Sequence, residues 1–451
     1  MMFLSFLLAC SGGTPDEPAA FTPTLATSNC GGPAYDWIPS DEVGDLVEWE
    51  PVREATLGPN GVDALQEGTG QKVVESALYG VKTYRYRYTT QDRGQPVEAT
   101  GLVAFPDTNG EPLETKTMLW LHPTVGMSDG CAPSVSGIEH TVPLMIGASQ
   151  GLIAVAPDYL GMAGFGEPSG MLHPYLVPEP TAVASLDAVR AMEVLATSPR
   201  GPELGVVPTK EMVIWGVSEG GFASLWTDRY QPHYAPEFEV QGVVAAIPGS
   251  DVVGLAQHGV TVFGDTSWGI LAMLVTANPW FAAGGSMADI LTDEAPTFFA
   301  STLGDILATE CEPGDGPEYD AVDSVEDIYL PGFVEALKSN SLDDLDSFGC
   351  MLENATLPGS PVERVENSPT LFVVAELDML AYAGVERESA RQLCAEGQDI
   401  EYIECEGADH VDGAVYSLAY QWRWLERRIR GESWLDGGSC VIGEPEDCEA
   451  L

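Results

Sequence analysis

Basic side chains are what this chain has least of. Its 451 residues include five lysines and fourteen arginines against 69 acidic residues, a formal net charge of −50. Nucleic-acid binding needs a cationic footprint, and none is present. Long apolar runs are missing as well. Beyond the N-terminus the longest, "WGILAMLV" (Trp268–Val275), is less than half of the roughly 18 residues a membrane-spanning helix requires. No two cysteines stand in the CxxC spacing of a zinc site or redox motif. A phosphate-binding P-loop is absent. Gly161, Gly164 and Gly166 imitate a dinucleotide fingerprint, but "MLHPYLVPEP" follows them where a helix should open, so no nucleotide cofactor is expected. The acidic stretches "GDGPEYDAVD" (Gly314–Asp323) and "LDDLD" (Leu342–Asp346) lack EF-hand spacing, and no metal site is read from them. A solvated acidic surface accounts for the charge.

What is there begins with "MMFLSFLLACSGG". Its apolar run ends at Leu7-Leu8-Ala9-Cys10, which resembles a lipoprotein cleavage box with residues 1–9 as the signal and Cys10 as the residue to be lipidated. The run is short and no Lys or Arg precedes it, so an ordinary export signal is the alternative. Several acyl chains on Cys10 would hold the protein at a membrane surface. Either way an exported protein is expected, a bacterial cell-envelope lipoprotein or a secreted one. Eight cysteines remain after Cys10: Cys30, Cys131, Cys311, Cys350, Cys394, Cys405, Cys440 and Cys448. An even number in an exported chain points to disulfides. Spacing alone offers Cys440 with Cys448, and Cys394 with Cys405.

Residues 10–44 are rich in Pro, Thr, Gly and acid and read as a flexible tether. "VKTYRYRYTTQDRGQPVEATGLVAF" (Val81–Phe105) alternates β-formers around Asp92-Arg93-Gly94, a hairpin signal. Strands and helices then alternate. The strands "KTMLWLHP", "LIAVAPDY", "EMVIWGV" and "VQGVVAAIP" are separated by helices in "EHTVPLMIGASQG" and "TAVASLDAVRAMEVLAT" and by one starting at Gly220. Apolar strands bounded by helices imply an α/β fold, a mostly parallel sheet covered on both faces. The rhythm lapses over residues 251–360, which are acidic and loop-rich. It resumes with "PTLFVVAELD", the helix "YAGVERESARQLCAEG", the strand "DIEYIECEG" and the helix "AVYSLAYQWRWLERRIRG". One core (45–250 and 361–432) with an inserted cap (251–360) and a C-terminal tail (433–451) fits this order.

Gly216-Val217-Ser218-Glu219-Gly220 is G-x-S-x-G, set directly after a buried strand and directly before a helix. That is the context of a nucleophile elbow. The sharp turn lifts a serine hydroxyl clear of the sheet, and the flanking glycines let strand and helix backbones pass without a Cβ clash. It also aims the backbone N–H of Glu219, at the positive end of a helix, at a forming oxyanion.

Serine needs a base. In folds built on such an elbow the partners follow in the order serine, acid, histidine. That order removes His122, His140 and His173. His233 lies in the helix after the nucleophile and His258 opens the cap, so His410, in "EGADHVDGA", remains. Asp378, at the end of "LFVVAELD", is the expected acid, with Glu376 as its rival; Asp409 adjoins His410 too closely to hold its far ring nitrogen. A second oxyanion donor is expected from "HPTVGMSDGCAPS", with Thr124 first and Val125 second.

Taken together, "HPTVGMSDGCAPS", "APDYLGMAGFG" followed by "HPYLV", "SLDAVRAM", "GVSEGGFAS", "AELD" and "GADH" resemble the secretory lipases of the Candida antarctica lipase A type, a branch of the α/β-hydrolases. The resemblance runs from about His122 to Arg430. It implies an α/β-hydrolase fold with the cap inserted between nucleophile and acid. It also implies hydrolysis of an ester or acylglycerol through the triad Ser218, Asp378 and His410, without a cofactor. By the same resemblance Cys131 would bridge to Cys311 or Cys350. A serine peptidase or amidase would use the same triad, and a non-catalytic surface-binding relative would leave it idle.

Overall fold

A computed structural model of the chain describes residues 29–69, 73–135, 138–199, 201–292, 311, 322–432 and 439–451. Its strands are β1 (Leu46–Pro51), β2 (Gly80–Asp92), β3 (Gln95–Asp107), β4 (Leu113–Leu121), β5 (Ile153–Pro157), β6 (Val206–Val217), β7 (Glu239–Ala246), β8 (Thr370–Ala375) and β9 (Ile400–Cys405). They form one sheet in the order β1-β2-β3-β5-β4-β6-β7-β8-β9. The β1–β2, β2–β3 and β3–β5 pairs are antiparallel, and every later pair is parallel.

The β2–β3 hairpin turns where expected. Asp92 pairs with Gln95 across Arg93 and Gly94, whose φ values are 48° and 70°. Two consecutive left-handed residues make the hairpin turn whose twist suits the flanking strands. Glycine is needed at 94 for a second reason: a Cβ there would run into the Asp36 carbonyl.

The helices of the core are α1 (Pro59–Thr69), α2 (Val142–Ser149), α3 (Pro178–Thr197) and α4 (Glu219–Tyr234). Strand alternation divides the core into two layers. On β4, Met118 and Trp120 face one cluster, which includes Leu144 of α2; Leu119 and Leu121 face the other, with Leu186 of α3 and Phe222 of α4. Because successive strand residues point to opposite faces, a strand buried on both must be apolar throughout. β5 and β8 meet that demand with every residue buried. Tyr86 and Tyr88 on β2 satisfy their hydroxyls by donating to Ala188 O and Ala184 O of α3, at 3.0 and 2.9 Å.

Between β7 and β8 the chain leaves the sheet. The described part of this insertion contains α5 (Val252–Gly259), α6 (Asp265–Phe281), α7 (Pro331–Lys338) and α8 (Asp346–Ala355). Through Leu274, Trp280 and Phe333 it joins the same hydrophobic cluster as α3 and α4. α9 (Ala383–Ala395), α10 (His410–Tyr416) and α11 (Leu418–Ile429) complete the core. Where the sequence reads as one closing helix, the structure has two, divided at Ser417, whose hydroxyl donates back to Gly413 O at 2.6 Å. Among the described residues no helix is long and apolar enough to cross a membrane.

Three further expectations are corrected. β1 and α1 lie in a stretch that the sequence reading left without elements. From Asn29 onward the segment read as a tether is packed: Trp37 is 5% exposed, donates Nε1–H to Glu179 Oε1 at 2.7 Å and meets Tyr234 edge-on. Both spacing-based cysteine pairs give way to Cys394–Cys440 and Cys405–Cys448. The reason is that residues 440–446 run back along β9, with Cys440 N–H donating to Ile400 O and Glu446 N–H to Glu404 O. Each tail cysteine therefore faces a different element. Of the two partners the family resemblance left open for Cys131, Cys311 is the one bonded, and Cys350 instead pairs with Cys30, tying the N-terminal segment to α8. Four disulfides belong to an oxidising, extracellular setting. Residues 1–28, with Cys10 and the signal, lie outside the described residues.

Two predictions follow from this packing. Trp37→Ala removes a buried indole and its hydrogen bond, and should cost about 3–5 kcal/mol in urea denaturation; an unchanged midpoint would mean that residues 29–44 are dispensable after all. The second concerns Glu386 of α9. Ser250 N–H donates to both of its carboxyl oxygens at 3.1 Å, and Ser250 Oγ lies 2.5 Å from Oε2. Burial pushes its pKa up to about 8, and that of Glu179 to about 7, from an ordinary value of about 4.3. Between those limits the folded state binds more protons than the unfolded one, so this stability is complete below about pH 4.3 and is lost as pH rises through about 8. Melting temperature should fall between pH 6 and 9, and fall less in Glu386→Gln; equal slopes would contradict the assignment.

Candidate active site

The elbow begins in the middle of the sheet. β6 runs between β4 and β7, and parallel registry sets Gly216 opposite both Leu121 and Ala245. At Ser218 the backbone turns with φ 57° and ψ −117°, the left-handed side that a residue with a Cβ avoids. Two hydrogen bonds hold the turn: Ser218 N–H donates to Ala246 O at 2.9 Å, and Phe222 N–H donates to Ser218 O at 3.0 Å. The glycines are compulsory. A Cβ on Gly216 would land on the Gly220 carbonyl, and one on Gly220 would land on the carbonyl of Leu121.

Two later strands bring the partners. Asp378 follows β8 and is 1% exposed; its Oδ1 accepts the Leu380 and Ala381 N–H groups at 2.8 and 2.9 Å. His410 opens α10, which Asp409 caps by accepting the Asp412 N–H at 2.9 Å. His410 Nδ1 lies 2.7 Å from Asp378 Oδ2, and its Nε2 lies 2.8 Å from Ser218 Oγ. With Nδ1–H donating to the carboxylate, Nε2 is left to accept the serine proton. Glu376, the rival acid, is instead turned to the Gly407 N–H at 2.7 Å.

Beside Ser218 and His410 is a cavity of about 40 Å³ walled by Tyr175, Leu176, Ile247, Leu255, Ile270 and Leu380. Leu255 and Ile270 come from the inserted helices α5 and α6. The wall is pinned: Thr266 N–H donates to Met379 O at 3.1 Å, and its hydroxyl lies 2.6 Å from that oxygen. Glu219, as first residue of α4, has a backbone N–H with no intrahelical acceptor. Thr124 is exposed and does not line the cavity; it approaches the site through Tyr175, to whose hydroxyl its own donates at 3.1 Å. Val125 is half-buried against the core and likewise does not line it.

The remaining histidines serve elsewhere. His233 Nε2 donates to Glu363 O at 2.7 Å, and His258 stacks on Tyr382 at 3.7 Å. His122 is buried, stacks on Tyr159 at 4.1 Å and donates Nδ1–H to Pro123 O at 2.7 Å; burial pushes its pKa down to about 4. The feature sequence reasoning missed is the side chain of Glu219. It is buried, and its Oε1 lies 2.6 Å from His173 Nε2. Nothing in the spacing of two residues 46 positions apart announces that pair.

Comparison with known proteins points to lipases and esterases. The family model described as secretory lipase matches residues 137–298. Lipase 1 of Candida albicans is 30% identical over 128 residues, which are 28% of this chain and 24% of that protein. Trichothecene C-3 esterase of Fusarium sporotrichioides is 27% identical over 134 residues, 30% of this chain and 27% of its own. The matched stretch thus spans about a quarter of the length of these curated relatives. Among solved structures, the rice cell wall degrading esterase LipA of Xanthomonas oryzae aligns with a TM-score of 0.64 at 17% identity, over 86% of this chain and 97% of its own. Candida antarctica lipase A aligns with a TM-score of 0.59 at 14% identity, over 90% of this chain and 89% of its own. Those likenesses carry the fold. Residues 137–298 thus resemble the secretory lipase family, and the chain has the α/β-hydrolase fold.

Proposed function

We propose that this protein is a serine carboxylester hydrolase acting on acyl esters, with Ser218 as nucleophile, His410 as general base and acid, and Asp378 orienting His410. The observation that carries the reading is the continuous relay from Ser218 Oγ through both ring nitrogens of His410 to Asp378, beside an apolar cavity. Ser218 Oγ bonds to the acyl carbon as its proton passes to His410 Nε2. The carbonyl electrons move onto oxygen, which receives the Glu219 N–H and a second donor from the loop holding Thr124 and Val125. Collapse breaks the bond to the leaving alcohol, which takes the proton from His410. Water then repeats the sequence on the acyl-enzyme and releases the acid. Asp378 fixes the imidazole tautomer and stabilises the imidazolium without taking the proton.

The names of the relatives, lipase and esterase, favour esters over amides. Attachment to a membrane surface through a lipidated Cys10 is part of the proposal, supported by the Leu7–Cys10 box. A cell-envelope lipoprotein is the corresponding location.

Ser218→Ala should lower kcat on p-nitrophenyl acetate by at least about 10³-fold; turnover within tenfold of the parent protein would refute the nucleophile. The cavity gives a second expectation. Among the described residues only a short apolar space lies beside Ser218 and His410, so kcat/KM on p-nitrophenyl acetate and butyrate should exceed that on the palmitate ester at least about tenfold, the discrimination expected when a pocket fails to bury added methylenes. Equal or faster turnover of palmitate would show that the cavity is not what limits the acyl chain.

A further inference from the structure

We propose that the segment His173-Pro174-Tyr175 is a bracket that positions both halves of the oxyanion site, and that His173 cancels the charge of the Glu219 carboxylate beside it. The proposal rests on the ester-hydrolase reading above.

The bracket is built by a chain that doubles back after β5. Gly161, at φ +88°, lies so close beneath His173 that a Cβ there would strike the His173 backbone. His173 N–H donates to Met127 O at 3.0 Å, tying the bracket to the loop after β4. From this fixed point two side chains reach outward. His173 Nε2 meets Glu219 Oε1, and Tyr175 OH accepts from Thr124 Oγ1. Glu219 and Thr124 are the residues expected to present the two oxyanion donors, so one three-residue segment holds both. Tyr159 completes the assembly. It stacks between His122 and His173, with ring centroids 4.1 and 5.6 Å away, and donates its hydroxyl to His122 O at 3.0 Å.

The charge argument follows from proton placement. His173 Nδ1 lies 2.8 Å from the carbonyl oxygen of Leu160, which can only accept, so Nδ1 carries a proton. The Nε2···Oε1 contact then holds one further proton between imidazole and carboxyl. Wherever that proton sits, the pair as a whole is neutral. Without His173, Glu219 would be a buried carboxyl next in sequence to the nucleophile, with Oε2 already lacking a partner. Ionised, it would oppose negative charge forming on the substrate oxygen in a site of low polarity. The titratable groups facing the pair from the neighbouring elements are His122, Tyr159 and Tyr175. Burial keeps His122 neutral and pushes both tyrosines upward, so none of them supplies a compensating charge. His173 acts through Glu219 and touches no substrate; it is a positioning residue.

The test compares the parent protein, His173→Gln, and His173→Gln combined with Glu219→Gln, on p-nitrophenyl acetate. In His173→Gln, kcat should fall about 30-fold or more, a loss comparable to part of an oxyanion donor, with KM within threefold. Adding Glu219→Gln should recover at least tenfold of that loss. Affinity for a trifluoromethyl ketone, which mimics the tetrahedral adduct, should follow kcat. A loss that Glu219→Gln does not rescue would overturn the proposal, as would unchanged kcat in His173→Gln. Should His173→Gln not fold, Tyr175→Phe decides: it deletes only the hydroxyl bound to Thr124, and kcat and ketone affinity should both drop about fivefold at unchanged melting temperature, while no change would overturn the bracket. A parent protein inert towards the ester would sink the hydrolase reading itself, and this proposal with it.

Discussion

The structure depends on one backbone turn that is unfavourable taken alone. Ser218 sits in a left-handed conformation worth about 1–3 kcal/mol of strain, and its neighbours leave it nowhere else to go. The Leu121 carbonyl lies against Gly220, the Gly220 carbonyl against Gly216, and Ala246 receives the Ser218 amide. Three adjacent parallel strands thus wedge the turn from both sides. Removing that registry would let the hydroxyl fall back towards the sheet, away from His410. The strain is sustained by strands buried on both faces, which is why a large apolar sheet underlies one half-buried alcohol.

Parallel topology explains why the partners meet. β6, β7, β8 and β9 are neighbours, so the turns leaving β6, β8 and β9 emerge along one edge of the sheet, where ligands of open α/β sheets gather. Each of the three places one residue: Ser218, Asp378 and His410. The excursion between β7 and β8 can be long without disturbing them, because Ala246 and Val373 are paired directly. The inserted helices return to the same edge and supply Leu255 and Ile270 to the cavity wall. The strongly negative composition reaches into this interior as well. Buried carboxyls such as Asp158, Glu179 and Glu386 each hold hydrogen-bond donors, Asp158 accepting from Thr100 and from Ser134.

Local signals were the legible ones. The elbow declares itself in five residues because glycine spacing and the flanking strand and helix are all contiguous. The hairpin at Arg93-Gly94, the apolar β5 and the apolar run of β8 after Thr370 are local for the same reason. His410 needed only chain order, since few histidines compete. What could not be read is non-local or weakly patterned. β1 is an edge strand, "LVEWEP", whose acids face water, and α1, "PNGVDALQEGT", carries two glycines and little apolar periodicity. Residues 29–44 have the composition of a tether, yet a single indole, Trp37, and a disulfide over 320 positions dock them. The Cys394 and Cys405 pairings depend on the tail running back along β9, which no spacing encodes. The His173–Glu219 pair likewise exists only after the loop beyond β5 has folded over itself.

The central claim is that one strained serine is made nucleophilic by an imidazole from a distant part of the chain. Its most direct test is labelling of the whole folded protein with a fluorophosphonate, followed by peptide mapping, in parallel with His410→Ala. The account predicts a single phosphonylated peptide containing Ser218, with labelling slowed by orders of magnitude in the variant. Label on another residue, or equal labelling rates with and without the imidazole, would contradict it.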